Sequence, residues 1–147
     1  MKIFVFIIVA FFNMNACSSE KINQEVNQYI EKITYQNWVG GMKGAGGGTN
    51  LNIHLLKSLP TTIEWTKIQF QDREATIYKV DDLLYQAAIK RFDNTTETIP
   101  TPTIKTGLQP NQAKLFFKIN GKENTLIFDN IKELPMLAYP SAKPRNN

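Results

Sequence analysis

The residues with chemistry to offer are few: one cysteine, Cys17, one histidine, His54, a glycine-rich run from Gly40 to Gly48, and the acidic groups Asp81, Asp82 and Asp93. A histidine can serve as a general base when a neighbour orients it, and Asp81, Asp82 or Ser58 could complete a triad with His54 in space. No nucleophile-elbow motif accompanies these residues, and a solvated strand histidine is the simpler reading. The run Gly40-Gly41-Met42-Lys43-Gly44-Ala45-Gly46-Gly47-Gly48-Thr49 has the composition of a phosphate cradle but not its order. A Walker loop puts lysine directly after its last glycine, and both it and the dinucleotide fingerprint lead into a helix. Here Lys43 stands mid-run and a strand pattern follows. The run therefore reads as a hairpin loop whose glycines permit positive φ or close approach of a partner. Trp38, Gly40, Gly41, Lys43, Gly44, Gly46, Gly47 and Gly48 are its candidate partner-binding residues. The aspartates lack Asp-x-Asp-x-Asp-Gly spacing and read as turn formers rather than calcium ligands. With one histidine and one cysteine, a multi-His or Cys-based metal site is excluded, and no metal is expected. Trp38 and Trp65, with Tyr35, Tyr78 and Tyr85, supply either core or a contact surface.

Cys17 is different, because of what precedes it. Met1-Lys2 leads into an apolar run, Ile3 to Phe12, and then Asn13-Met14-Asn15-Ala16-Cys17. That is a positive n-region, an h-region and a small residue before a cleavage point, the layout of a secretory signal peptide. A helix crossing about 30 Å of hydrocarbon needs roughly 20 apolar residues, so this run is too short to remain as a span. Met14-Asn15-Ala16-Cys17 resembles a bacterial lipobox, with Ala16-Cys17 as the part that fits. The resemblance implies that Cys17 carries palmitate-type acyl chains and becomes the first mature residue. Each buried methylene adds about 0.8 kcal/mol of membrane affinity, so two or three chains hold the protein on a membrane. No cofactor is expected beyond this covalent lipid.

Cleavage ahead of Cys17 removes Lys2 alone among the charges, lowering the formal net charge from +4 to +3. A charge of this size keeps a domain soluble. The lysines are scattered, with no basic stripe interleaved with aromatics, so nucleic acid is not an expected partner. The chain that remains is enough for one domain.

The elements that must position these residues read as mainly β. Ile22, Val26, Tyr29, Ile30 and Ile33 recur at helical spacing, with Ser19 as a possible cap, and predict a short helix or tether. Thr34 to Val39 is β-prone. Leu51, Ile53 and Leu55 then alternate with Asn50, Asn52 and His54, giving two strands around the glycine loop. Ile63 to Phe70 and Arg73 to Val80 predict a hairpin about Gln71-Asp72. The apolar phase changes between Trp65 and Ile68, which points to a bulge near Thr66 or to burial of both faces. Leu83 to Phe92 reads as a strand, although Leu84, Tyr85, Ala88 and Phe92 also fit a helical stripe. Residues 93–112 form a connection rich in threonine and proline. Ala113, Leu115, Phe117 and Ile119 alternate into the turn signal Asn120-Gly121, and Leu126 and Phe128 return. Leu137 and Tyr139 are expected to dock as an edge segment. The pattern predicts an antiparallel sandwich of the immunoglobulin-like kind or a small barrel. Its organisation is 1–16 signal peptide, 17–33 lipidated cysteine with tether or helix, and 34–147 one β-rich domain.

Tyr35-Gln36-Asn37-Trp38-Val39-Gly40-Gly41 and the ending Tyr139-Pro140-Ser141-Ala142 resemble a group of small uncharacterised lipoproteins of flavobacteria and their relatives. The resemblance implies a β-rich domain in the bacterial cell envelope and brings no activity with it. Ser18-Ser19-Glu20-Lys21 resembles the polar start of some surface-exported lipoproteins of that group. The expected location is a membrane, the outer membrane in preference, with the domain facing the periplasm or the outside. The expected function is a non-enzymatic binding or envelope-structural module with a protein or glycan partner. The rivals are a small hydrolase using His54 and a carrier of an apolar ligand in a barrel cavity.

Overall fold

The computed structural model describes residues 16–41, 46–92 and 102–139. Residues 1–15 of the expected signal peptide, the loop tip with Lys43 and Gly44, Asp93 and residues 140–147 lie outside the described residues. Among the described residues a helix, α1 (Ala16–Asn27), is followed by nine strands: β1 (Ile30–Val39), β2 (Gly47–Leu55), β3 (Ile63–Phe70), β4 (Arg73–Thr76), β5 (Tyr78–Asp81), β6 (Leu84–Phe92), β7 (Ala113–Ile119), β8 (Lys122–Phe128) and β9 (Lys132–Ala138). They form two sheets, β5-β6-β2-β1-β9 and β4-β3-β7-β8, packed as a sandwich that does not close into a barrel. Every pairing is antiparallel except β1 with β9, which is parallel.

The core follows from alternation. Leu51, Ile53 and Leu55 of β2 are buried between the sheets, as are Ile68 and Phe70 of β3 and Leu115 and Phe117 of β7. Tyr35 crosses the gap to Phe70, ring centroids 4.9 Å apart. Trp65 meets Phe117 edge-on at 5.8 Å. Tyr35 and Tyr85 pack against the core, so of the aromatics in question only Trp38 and Tyr78 stand on the outside of the sandwich.

The helix is shorter than its spacing predicts. It ends at Asn27, Ser19 lies inside it rather than capping it, and Ile30 and Ile33 belong to β1. Their three-residue spacing comes from a β-bulge. Ile30 pairs with Leu55 but Lys32 with His54, so Glu31 is extra, Glu31 and Lys32 both face solvent, and Ile33 returns to the core. A bulge mimics helical periodicity over one turn. The phase change in β3 has the same origin, and there the bulge is where the sequence predicts it, between Trp65 and Lys67.

The expected strand Arg73 to Val80 divides at Ile77. That residue is buried, its N–H donates to the Thr66 carbonyl at the β3 bulge, and the chain passes from the four-stranded to the five-stranded sheet. Residues 83–92 contribute a strand. Asn120 and Gly121, with φ of 50° and 79°, make the two-residue turn between β7 and β8, a backbone shape open to asparagine and glycine. Leu137 and Tyr139 do lie along an edge, but both remain exposed.

Candidate functional site

Of the expected site residues, Trp38, Gly48 and His54 share one surface, the outer face of the five-stranded sheet. Because side chains alternate, cross-strand pairing sorts this face into rows. Lys32, His54 and Leu84 form the first. Thr34, Asn52, Gln86 and Tyr78 form the second, Gln36, Asn50 and Ala88 the third, and Trp38, Gly48 and Lys90 the fourth. The two middle rows carry amides and hydroxyls and no charge on β1, β2 or β6.

Several of these groups are held by one another. Gln86 Nε2 donates to Asn52 Oδ1 at 2.7 Å, and Tyr78 Oη donates to Gln86 Oε1 at 3.1 Å. Gln36 Nε2 donates to the Pro135 carbonyl at 2.8 Å. That carbonyl is available because β9 carries an extra residue between its pairings with Gln36 and Trp38, and proline brings no N–H to a ladder. Asn50, half-buried, makes no side-chain hydrogen bond among the described residues, and the exposed Ala88 beside it leaves its amide open.

Trp38 crowns the fourth row. A Cβ placed on Gly48 would lie 2.8 Å from Trp38 Nε1 and 2.9 Å from Cε2, so the indole lies over the bare backbone of Gly48. The same Cβ would be 2.4 Å from the Ile89 carbonyl oxygen, which leaves glycine as the residue that fits. Tyr139 stands edge-on to the indole, centroids 6.1 Å apart at 75°. Val39, Leu137 and Tyr139 are exposed around this end of the sheet.

The glycine loop is therefore shorter than expected. Gly47 and Gly48 are strand residues paired with Val39 and Trp38, and both are buried. Gly46, at φ 71°, accepts a backbone bond from Gly40 and closes the turn. Gly41 is exposed beside it. Beneath, on the inner face, buried Thr49 donates to Asn37 Oδ1 at 2.7 Å, and Asn37 Nδ2 donates to Glu133 Oε1 at 3.0 Å, tying β2, β1 and β9 together.

His54 lies in the first row. Its Nε2 is 3.5 Å from Thr34 Oγ1, and no carboxylate is bonded to it among the described residues. Asp81 and Asp82 act in a turn: Asp81 Oδ1 accepts from the Leu83 amide at 2.7 Å, and Asp82 pairs with Lys79 at 2.6 Å. That pairing draws the Asp82 carboxyl below its ordinary pKa and raises the lysine. Among the described residues, no three of His, Cys, Asp and Glu are grouped as a metal site would require, and no helix is long and apolar enough to cross a membrane. Cys17 lies in the first turn of α1.

The four-stranded sheet has a different outer face. A cavity of about 350 Å³ opens there against Thr66, Lys67, Phe116, Glu123, Asn124 and Thr125. Lys67 and Lys114 sit over the Phe116 ring at 4.7 and 5.3 Å, and Lys67 also pairs with Glu74 at 3.1 Å.

The amides of Gln36 and Gln86 and the seat that Gly48 makes for Trp38 were not candidates from sequence. The alternation that set Asn50 and Asn52 opposite Leu51 and Ile53 was the available signal. Compared with family models, curated proteins and solved structures, the chain finds no match.

Proposed function

We propose that this chain is a lipid-anchored, non-enzymatic binding module of the bacterial cell envelope, held by acylated Cys17 and meeting its partner with the outer face of the five-stranded sheet. The observation that carries the reading is the polarity of β1. α1 hands the chain to the Ile30 end of that strand, with Val26 and Ile30 buried at the junction. Trp38, Tyr139 and the glycine turn stand at its other end. From Ile30 to Trp38 an extended strand covers roughly 26 Å. An anchor on the helix side leaves the aromatic end and the amide rows directed away from the bilayer. Tethering confines the domain to a layer next to the membrane, which raises its effective concentration toward envelope partners and makes modest affinity sufficient. The hydrolase alternative has less support, since His54 has a hydroxyl neighbour and not a carboxylate. The carrier alternative needs a barrel interior, and here the space between the sheets is filled by residues such as Phe70, Phe117 and Leu51.

The test is intact-mass spectrometry of the protein from membrane and soluble fractions of the native host, with Cys17→Ala alongside. The expected result is a mature chain beginning at Cys17 with acyl chains attached, retained on membranes and released by the substitution. An unacylated chain in the soluble fraction would overturn the anchor.

A further inference from the structure

Resting on the reading of this face as the binding surface, we infer that its ligand is an uncharged stretch of polysaccharide, with a sugar ring stacked on Trp38 and neighbouring hydroxyls bonded to the amides of Gln36, Asn50, Asn52 and Gln86. A pyranose presents two kinds of surface: a ring face lined by C–H groups, and an equatorial belt of hydroxyls that each donate and accept. The sheet offers a counterpart to both. Trp38 has one ring face on the backbone of Gly48, so its other face is a platform at the level of the sheet, bordered by Tyr139. Amide side chains carry donors and acceptors together, as vicinal hydroxyls require, whereas lysine only donates and an ionised carboxylate only accepts.

Spacing supports an extended chain rather than a single sugar. Same-face residues along a strand are about 6.7 Å apart and strands about 4.8 Å apart. Trp38, then Gln36 with Asn50, then Asn52 with Gln86 form successive rungs that a linear oligosaccharide would cross. Gly48 and Ala88 contribute no bulk between the platform and these amides, so Asn50 is accessible. The partner classes differ in what they need. A protein interface is centred on apolar and aromatic anchors, and here the centre is amide. Nucleic acid needs a series of phosphate-neutralising cations, and the middle rows hold none on β1, β2 or β6 and a single one, Lys132, at the β9 edge.

The test uses the purified acylated protein in detergent micelles and cell-envelope fragments of the native host, in four portions: untreated, protease-digested, oxidised with periodate, and untreated in raised salt. Periodate cleaves vicinal diols and so destroys most glycans while leaving polypeptide backbones intact. Binding is expected to survive protease and raised salt and to be lost after periodate. Asn50→Ala and Trp38→Ala are each expected to weaken it at least tenfold, with Trp38→Phe keeping more of it than Trp38→Ala. Asn50 is the safeguard, because its side chain holds nothing else in place and its loss leaves the fold intact. Binding that protease abolishes and periodate spares, but that still depends on Trp38 and Asn50, overturns the glycan and leaves the face. Binding indifferent to both substitutions overturns the face itself, and no binding to untreated fragments overturns both. Binding lost in raised salt overturns the uncharged character of the ligand.

Discussion

The two outer faces of the sandwich cover the same core and are built on opposite principles. On the four-stranded sheet, charge answers charge: Lys67 pairs with Glu74, Gln69 donates to the same carboxylate at 2.9 Å, and lysine ammonium groups lie over Phe116. The Gln69 bond and then Lys67 hold the Glu74 carboxyl below its ordinary pKa. On the five-stranded sheet the middle rows are uncharged on β1, β2 and β6, with Lys132 at the β9 edge, Asn50 is unengaged among the described residues, and the half-buried Trp38 lies against a glycine. Under the proposed function, polarity alone does not distinguish a solvated face from a binding face. What distinguishes them is that one face leaves an amide, Asn50, unengaged among the described residues and gives an aromatic ring a seat that needs a glycine.

Gly48→Ala should have the largest effect on the fold. The added methyl meets the Ile89 carbonyl oxygen and the indole at once, so the substitution should destabilise by about 1–3 kcal/mol, the usual range for overpacking, and unseat Trp38. Denaturant unfolding measures the first, and the emission spectrum of Trp38 in a Trp65→Phe background the second. Unchanged stability would mean that the indole is not held by Gly48. Trp65→Phe is a usable background because the buried Trp65 Nε1 has no hydrogen-bond partner to lose.

On the other sheet, Lys67→Met with Glu74→Gln should change stability by under about 1 kcal/mol, since this partly exposed pair is screened by solvent. It should leave envelope binding as it was. A loss of binding there would move the site to the wrong sheet. Asn50→Ala should change stability by no more than about 0.5 kcal/mol, as expected for a surface side chain without bonds, and so separates binding from folding.

The smallest effect concerns the connection into β7. Asp72, at φ 57° in the β3–β4 turn, accepts the Thr106 amide at 3.1 Å and its hydroxyl at 2.9 Å, and these bonds lower the carboxyl pKa below its ordinary value. A carboxyl lowered in the folded state stabilises the fold above the ordinary aspartate range, and that contribution disappears as pH falls through the lowered value. The protection of the Thr106 amide, its exchange rate relative to the intrinsic rate at the same pH, should therefore fall in acid, and Asp72→Asn should make that protection less sensitive to pH there.

Much of the scaffold was legible because it is local. The alternation of β2, the turn at Asn120-Gly121 and the phase change at Thr66 each follow from neighbouring residues. The bulge at Glu31 was not, since a core residue every third position looks the same on a helix and on a bulged strand over so short a stretch. The parallel docking of β9 on β1 joins segments about a hundred residues apart and leaves no local pattern. The site was legible only in part for the same reason. Trp38 and the glycines drew notice by type, but that Gly48 seats the indole, and that Gln36 and Gln86 line up with Asn50 and Asn52, is decided by pairing between distant strands.

The most direct measurement places a photo-crosslinking benzophenone side chain at Lys90, on the outer face of the five-stranded sheet beside the amide rows, or at Thr125, on that of the four-stranded sheet, in cells of the native host. Adducts of higher mass from position 90 and none from position 125 are the expected result. Adducts from position 125 alone would contradict the assignment of the binding face.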